Sequence, residues 1–226
     1  MSLRIGVLSL QGDFAEHIAA FEQIGCCVTG VKTPAAVAAS DALVIPGGES
    51  TTIGKLCDRF GVGDAIRAMH AAGKPIWGTC AGMILLAKDI ENSDQSRLGL
   101  MDIAVARNAF GRQVDSFETD VDITGIAGDP VRAVFIRAPY VTSVSGDAEV
   151  LARFQDKIIM VRQGNLLATA FHPELTDDRR VQEYFLEMVK QSAEDRWLLA
   201  RSEAALADPA NRDRIPLAQV KQELGL

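Results

Sequence analysis

The stretch that most constrains this chain is Ile76-Trp77-Gly78-Thr79-Cys80-Ala81-Gly82-Met83-Ile84-Leu85-Leu86. A short apolar strand, Pro75 to Trp77, runs into a Gly-x-Cys-x-Gly turn and then an apolar-faced helix, the cysteine form of a nucleophile elbow. Small residues at 78 and 82 allow strand and helix to pack closely around a sharp turn, which lifts Cys80 to the end of the sheet. The first backbone N–H groups of the helix, beginning with Ala81, point at whatever Cys80 attacks, and a helix N-terminus favours the thiolate. A buried structural cysteine in a tight βα turn has the same local signature, so the rest of the chain has to decide.

Of the 226 residues, 48% are hydrophobic, enough for one full core with a small appendage. Aliphatic residues dominate and aromatics are few, as in α/β proteins with buried parallel strands. The net charge is −7 and there is no basic stripe, which argues against a nucleic-acid partner. The cysteines at 26, 27, 57 and 80 have neither metal-ligand spacing nor a secretory pattern, so no metal is expected. Cys26 and Cys27 read as packing residues of an apolar strand. No apolar run is long enough for a bilayer, and Met1-Ser2-Leu3-Arg4 leads into a strand rather than a signal peptide. The expectation is a cytoplasmic protein with no membrane partner.

In chain order, strands are expected at Arg4–Leu10, Cys26–Val31, Asp41–Ile45 and Pro75–Trp77, alternating with helices. Asp13 with Glu16 reads as a capping box, Thr33-Pro34 as a helix start, and Asp64 as the cap of the helix that Gly73 closes. This alternation predicts an α/β fold with a doubly wound, mostly parallel sheet, functional groups lying at the carboxyl ends of its strands. After a polar loop, Asp89–Gln95, the pattern changes to short alternating strands at 101–107, 117–123, 131–136, 150–154, 158–162 and 166–170. The last two are joined by a Gly164-Asn165 hairpin turn, and the group reads as antiparallel additions to the sheet. A helix then buries Val181, Tyr184, Phe185, Met188 and Val189. From Ser192 the chain becomes a charged, Ala-rich helix broken at Asp208-Pro209, followed by a short amphipathic stretch, Leu217–Leu224. The division expected is a domain at 1–191 and a helical extension at 192–226 with no assigned role.

A thiolate that attacks an amide or ester carbon needs a base, a group that orients the base, and an oxyanion site. Of the three histidines, His17 and His70 fall inside predicted helices away from strand ends and read as surface or packing residues. His172 follows a strand directly, and Pro173 stiffens the turn that presents Glu174. Such a His-x-Glu pair lets the carboxylate fix the imidazole tautomer and stabilise the imidazolium. Pro46-Gly47-Gly48-Glu49 lies at another strand end, where two glycines permit close backbone approach or a peptide flip. An N–H of that loop is placed to complete an oxyanion hole with Ala81. A phosphate cradle fits poorly, because the Walker Gly-Lys-Ser/Thr ending is absent.

These residues resemble the class I glutamine amidotransferase family, whose glutaminase domains use a Gly-x-Cys-x-Gly elbow and a distant His-x-Glu. Finer matches resemble the glutaminase subunits of pyridoxal 5′-phosphate synthase: Leu10-Gln11-Gly12, Pro46–Thr52, Gly78–Gly82, Arg107–Glu118, Phe135–Pro139 and Phe171–Thr176. The resemblance runs from about Arg4 to Gln191. It implies Cys80 as nucleophile, His172 as general base and acid, and Glu174 as its orienter, with the N–H groups of Gly48 and Ala81 as the oxyanion hole. It implies that L-glutamine is held by Gly47, Gly48, Glu49, Arg107 and the Ile136-Arg137 backbone, with no cofactor. The partner implied is a (β/α)₈-barrel synthase subunit that receives the ammonia and makes pyridoxal 5′-phosphate, docking near Gln11. The family gives no account of residues 192–226. A glutaminase serving another synthase, such as imidazole glycerol phosphate synthase, is the nearest alternative, and the Arg107–Glu118 block argues against it. A non-hydrolytic redox sensor built on the same elbow would leave Gly-Gly-Glu and His-Pro-Glu without a purpose.

Overall fold

The computed structural model describes residues 3–107 and 116–207. Its first half runs β1 (Arg4–Leu8), α1 (Phe14–Gln23), β2 (Cys27–Val31), α2 (Pro34–Ala38), β3 (Ala42–Ile45), α3 (Ser50–Arg59), α4 (Val62–Ala71), β4 (Ile76–Thr79) and α5 (Ala81–Leu86). The second half adds β5 (Ala87–Ile90), β6 (Met101–Ala106), β7 (Ser116–Val121), β8 (Val131–Ile136), β9 (Tyr140–Val144), β10 (Glu149–Phe154), β11 (Lys157–Gln163) and β12 (Leu166–Thr169). A 3₁₀ turn at Pro173–Leu175 and the long helix α6 (Arg180–Ala207) follow.

The main sheet is ordered β2-β1-β3-β4-β12-β11-β9-β6-β5, with β10 paired to β11, and β7 and β8 form a separate antiparallel pair. From β2 to β12 the strands are parallel, and the pairings from β12 through β11 and β9 to β6 are antiparallel. This is the doubly wound parallel core with antiparallel additions that the chain pattern predicts. Its central strands are buried on both faces: β3, β4 and β12 have no exposed residue. That double burial is why they read as short unbroken apolar runs rather than alternating ones.

Several local expectations need correction. Cys27 is exposed and Cys26 half-buried, because β2 is the sheet edge and has only β1 beside it. Asp13 makes no capping hydrogen bond, and Gly61 rather than Asp64 stands at the cap of α4, where Asp64 pairs with Arg67 instead. Strand β5 occupies the start of the predicted polar loop: Lys88 and Asp89 are exposed, which hides its pairing with β6 from a search for apolar periodicity. Strand β9 is mostly half-buried and carries no sustained apolar run, so the chain pattern does not mark it. Thr33 does cap α2, its hydroxyl accepting from Ala36 N–H at 3.3 Å, with Pro34 in the first turn.

Contacts divide the chain into two compact units, Met1–Ser192 and Ala193–Leu226. In the first, α6 buries Val181, Phe185, Met188 and Val189. In the second, its described part leaves Trp197, Leu198, Leu199 and Leu206 exposed. The predicted break at Asp208-Pro209 and the Leu217–Leu224 stretch lie outside the described residues, as do residues 108–115 of the Arg107–Glu118 block.

The elbow depends on two close approaches. A Cβ at Gly82 would lie 2.2 Å from the carbonyl oxygen of Ile45, and one at Gly78 would lie 2.4 Å from the carbonyl carbon of Gly82. Both obstacles are backbone, so neither yields by a side-chain rotation. Gly82→Ala is therefore expected to destabilise the fold by about 1–3 kcal/mol, the usual cost of overpacking. Urea unfolding measures it, and unchanged stability would mean that α5 can move away from β3 freely.

Candidate active site

Strands β1, β3, β4 and β12 are consecutive neighbours in the sheet, so the loops at their carboxyl ends converge. The first carries Gln11 to Asp13, the second Gly47 to Glu49, the third Cys80 and the fourth His172. Hydrogen bonds tie the first two together: Asp13 N–H donates to the Gly47 carbonyl at 3.2 Å, and Glu49 N–H donates to Gln11 Oε1 at 2.8 Å. The loop permits little else at its glycines. A Cβ on Gly47 would lie 2.3 Å from Cε1 of His172, and Gly48 has a φ of +145°.

Cys80 sits at the elbow with φ 47° and ψ −100°, a conformation that costs a non-glycine residue roughly 1–3 kcal/mol and that clusters at functional sites. Its N–H donates to the Thr169 carbonyl at 2.8 Å, which fixes the turn to β12. His172 lines the same cleft as Cys80, and its Nδ1 lies 2.8 Å from Glu174 Oε1. The His172 backbone N–H is held in turn by the Val134 carbonyl at 2.8 Å, which anchors β8 against the site. Cys80, His172 and Glu174 are 8%, 2% and 5% exposed.

Burial alone would push the His172 imidazole towards neutrality. The hydrogen bonds and charges of Cys80 and Glu174 overcome it and raise the pKa to about 10. Burial likewise opposes the Glu174 carboxylate, yet His17 and His172 bring its pKa below the ordinary value. The arrangement thus favours an imidazolium backed by a carboxylate beside the Cys80 sulfur, a set of groups that can attack an acyl carbon and then protonate a leaving amine.

Cys80 and His172 open into a cleft of about 480 Å³, within the range of small-molecule sites. Gln11, Gly48, Glu49, Ala81, Arg107, Ile136 and Arg137, all singled out from sequence, line it. Gly47 lies behind that wall, against the imidazole. Arg107 donates to Gln95 Oε1 at 2.7 Å and lies 3.6 Å from Glu49 Oε1. Glu49 also caps α3, its Oε2 accepting from Thr52 N–H at 2.8 Å. Burial opposes the Glu49 carboxylate, but the Thr52 bonds and Arg107 lower its pKa. A larger groove of about 850 Å³, bounded by Arg162, Arg180 and Tyr184 among others, contains none of the strand-end residues.

Three site residues escaped the sequence reading. Asp13 Oδ2 lies 3.6 Å from His172 Nδ1, so the residue read as a helix cap faces the imidazole. His17 is fully buried against Trp77, 3.1 Å from Thr79 Oγ1 and 3.4 Å from Glu174 Oε2, which excludes the surface half of its reading, keeps the packing half and adds polar neighbours that the reading lacked. Gln95 holds Arg107 and the hydroxyls of Ser50 and Thr51. The available signal for the first two was their spacing, four apart on one face of a helix that starts at a strand end. Asp13, His172 and Glu174 present ligand atoms within 4.8 Å of one another. Both carboxylates approach the same Nδ1, which makes them partners of the imidazole rather than a built metal centre.

Comparison with solved structures defines the class. The fold matches a crystal structure of a glutamine amidotransferase with a TM-score of 0.79 and 47% identity, covering 82% of this chain and 98% of that one. A glutamine amidotransferase from Thermotoga maritima shares the fold at 15% identity, with a TM-score of 0.56, covering 89% of this chain and 90% of that one. The model of the SNO glutamine amidotransferase family matches residues 7–191, and the chain belongs to that family. Two relatives bear the name pyridoxal 5′-phosphate synthase subunit PdxT. That of Desulforudis audaxviator is 56% identical over 83% of this chain and 99% of its own length, and that of Carboxydothermus hydrogenoformans 54% identical over 83% and 98%.

The geometry ranks the two supporting residues. His172→Asn is expected to lower turnover by roughly 10²–10⁴, the contribution of a general base, and Glu174→Gln by less. With the imidazolium pKa raised to about 10, the protonated form persists below that pH and is lost above it. The alkaline limb of kcat/KM should therefore move to lower pH in Glu174→Gln, with the substrate's own ammonium common to both enzymes. A limb that stays in place, or a larger loss in Glu174→Gln than in His172→Asn, would contradict these roles.

Proposed function

We propose that this chain is the glutaminase subunit of a pyridoxal 5′-phosphate synthase, hydrolysing L-glutamine to L-glutamate and ammonia. The observation that carries the reading is Cys80 and His172 together in the cleft wall with Glu174 behind the imidazole at 2.8 Å, in a chain that aligns with nearly the whole length of the relatives of that name. The Cys80 thiolate attacks the side-chain amide carbon, and the oxyanion is received by the N–H groups of Gly48 and Ala81. The imidazolium of His172 protonates the departing ammonia and leaves a thioester. The neutral imidazole then takes a proton from water as the water attacks the thioester, and glutamate departs with Cys80 restored. Glu174 stabilises the imidazolium in both halves. Glu49, Arg107 and the Ile136-Arg137 backbone hold the ammonium and carboxylate ends of the amino acid, because charge-assisted bonds of both signs are what that zwitterion requires.

The ammonia passes to a synthase subunit of (β/α)₈-barrel type, and the chemistry belongs to the cytoplasm. No described helix is long and apolar enough to cross a membrane. The Gly47-Gly48 loop supplies a natural control point, since its peptide can reorient at low steric cost. Gln11 grips that loop through Glu49, so a partner docking beside Gln11 acts directly on an oxyanion donor. Removing one such donor costs about 10²–10³ in rate.

Glutamate release from glutamine tests this reading. Slow release by the subunit alone, marked stimulation by the barrel synthase, none by Cys80→Ala, and weaker stimulation of Gln11→Ala are expected. Full activity alone, unaffected by synthase, would remove the control proposed for the loop, and activity in Cys80→Ala would exclude the thioester.

The glutaminase domain is assigned to residues 1–191 and residues 192–226 to a helical extension with no assigned role. Ser192 is buried and its hydroxyl donates to the Gly73 carbonyl at 2.8 Å, so a truncation is best made after it. Removal of 193–226 should leave glutaminase activity and the urea midpoint unchanged. Loss of soluble protein would show that the extension covers part of the domain.

A further inference from the structure

We propose that His17 is a positioning residue that fixes the second oxygen of Glu174 and, through Thr79, the residue preceding the nucleophile. The proposal rests on the catalytic roles given above to Cys80, His172 and Glu174. Glu174 uses Oε1 for His172, while Oε2 is buried, makes no hydrogen bond of ordinary geometry and has His17 Nε2 facing it at 3.4 Å. The same Nε2 lies 3.1 Å from Thr79 Oγ1. Nδ1 of His17 is buried with no hydrogen-bond partner. A buried N–H left unpaired is costly, and an anionic oxygen close to Nε2 favours the proton on that nitrogen. The ring is therefore the Nε2–H tautomer, presenting its donor to Oε2 and Thr79.

Charge decides why a histidine suits the place. The groups facing it are Glu174, His172, Asp13 and Glu16; burial outweighs the attraction of the carboxylates and lowers its pKa. A neutral ring offers Glu174 a dipole rather than a full competing charge. Glu174 then remains anionic and directed at His172, which keeps the imidazolium stabilised. Trp77 clamps the ring edge-on at 5.7 Å between centroids, and its own Nε1–H is spent on Thr169 Oγ1 at 3.2 Å. An apolar side chain of similar size would preserve that packing and leave Oε2 with nothing.

The test compares His17→Leu with His17→Gln, whose amide nitrogen can reach the position of Nε2. Two readouts apply: glutaminase kinetics in the complex with synthase, and the pH dependence of iodoacetamide alkylation at Cys80, followed by mass spectrometry of its peptide in the isolated subunit. In His17→Leu, kcat should fall ~10–100-fold, as for loss of a group that orients a ligating or catalytic side chain, with KM for glutamine unchanged. The alkaline limb of kcat/KM should move to lower pH, and the alkylation profile should move the opposite way, to higher pH, because a less stable imidazolium returns its proton to sulfur. His17→Gln should restore most of both. In the double variant with Glu174→Gln, the loss should be no greater than for Glu174→Gln alone, because His17 acts through that carboxylate. Losses that add, or unshifted pH profiles in His17→Leu, would reduce His17 to packing and overturn the proposal. Should His17→Leu not fold, His17→Asn, too short to reach Oε2, replaces it, and behaviour equal to His17→Gln would be equally fatal. The alkylation profile needs no turnover, so it reports on His17 even if glutamine proves not to be the substrate.

Discussion

A carboxylate removed from water is the constraint on which this structure depends. Glu174 is 5% exposed, and an isolated buried anion costs several kcal/mol unless it is paired and hydrogen-bonded. His172 provides that pairing at 2.8 Å, and the pair exists only because β12 ends beside β4 and the Pro173 turn folds Glu174 back under the ring. The same burial that makes the anion costly makes the interaction strong, since little solvent screens it. Removing either partner would leave a buried charge or a buried imidazole whose proton has lost its support.

Cys80 is held by a different kind of constraint. The strain at Cys80 is not relieved locally, because its N–H is fixed to β12 and the start of α5 is pressed onto β3 at Gly82. The buried sheet therefore maintains the elbow, and the energy comes from the apolar packing of β3, β4, β12 and α5 rather than from any contact within the cleft. This division suits a catalytic site: the rigid framework lies below it and the groups that touch substrate lie on loops above.

The parallel core was legible because its strands are buried on both faces and its turns carry Gly, Pro and polar residues at the expected places. Cys80, His172 and Glu174 were legible because each stands at a strand end beside glycine or proline. The unrecognised pieces had no such mark. Lys88 and Asp89 hide β5 because an edge strand need not be apolar, and Cys27 is exposed for the same reason at the opposite edge. Asp13 fitted a capping box and His17 a helix-packing position, and their four-residue spacing was too weak a mark to show that the sheet places Thr79, His172 and Glu174 beside them. Contacts made across the sheet, between residues 62 and 157 positions apart in the case of His17, are set by tertiary packing and leave no local pattern.

Asp13 and His17 stand at the cap and in the first turn of one helix, and this changes how α1 should be understood. At its start, Gln11 and Asp13 grip the Gly47–Glu49 loop through Glu49 N–H and the Gly47 carbonyl. Asp13 also faces His172, and one turn further His17 faces Glu174. A displacement of the β1–α1 junction thus bears on the Gly47–Glu49 loop and on the His172–Glu174 pair through the same few residues. Because packed interiors shift between discrete arrangements rather than deforming continuously, a contact made at Gln11 need not be transmitted along a chain of side chains to reach the chemistry. It acts on an element already in contact with both halves of the site.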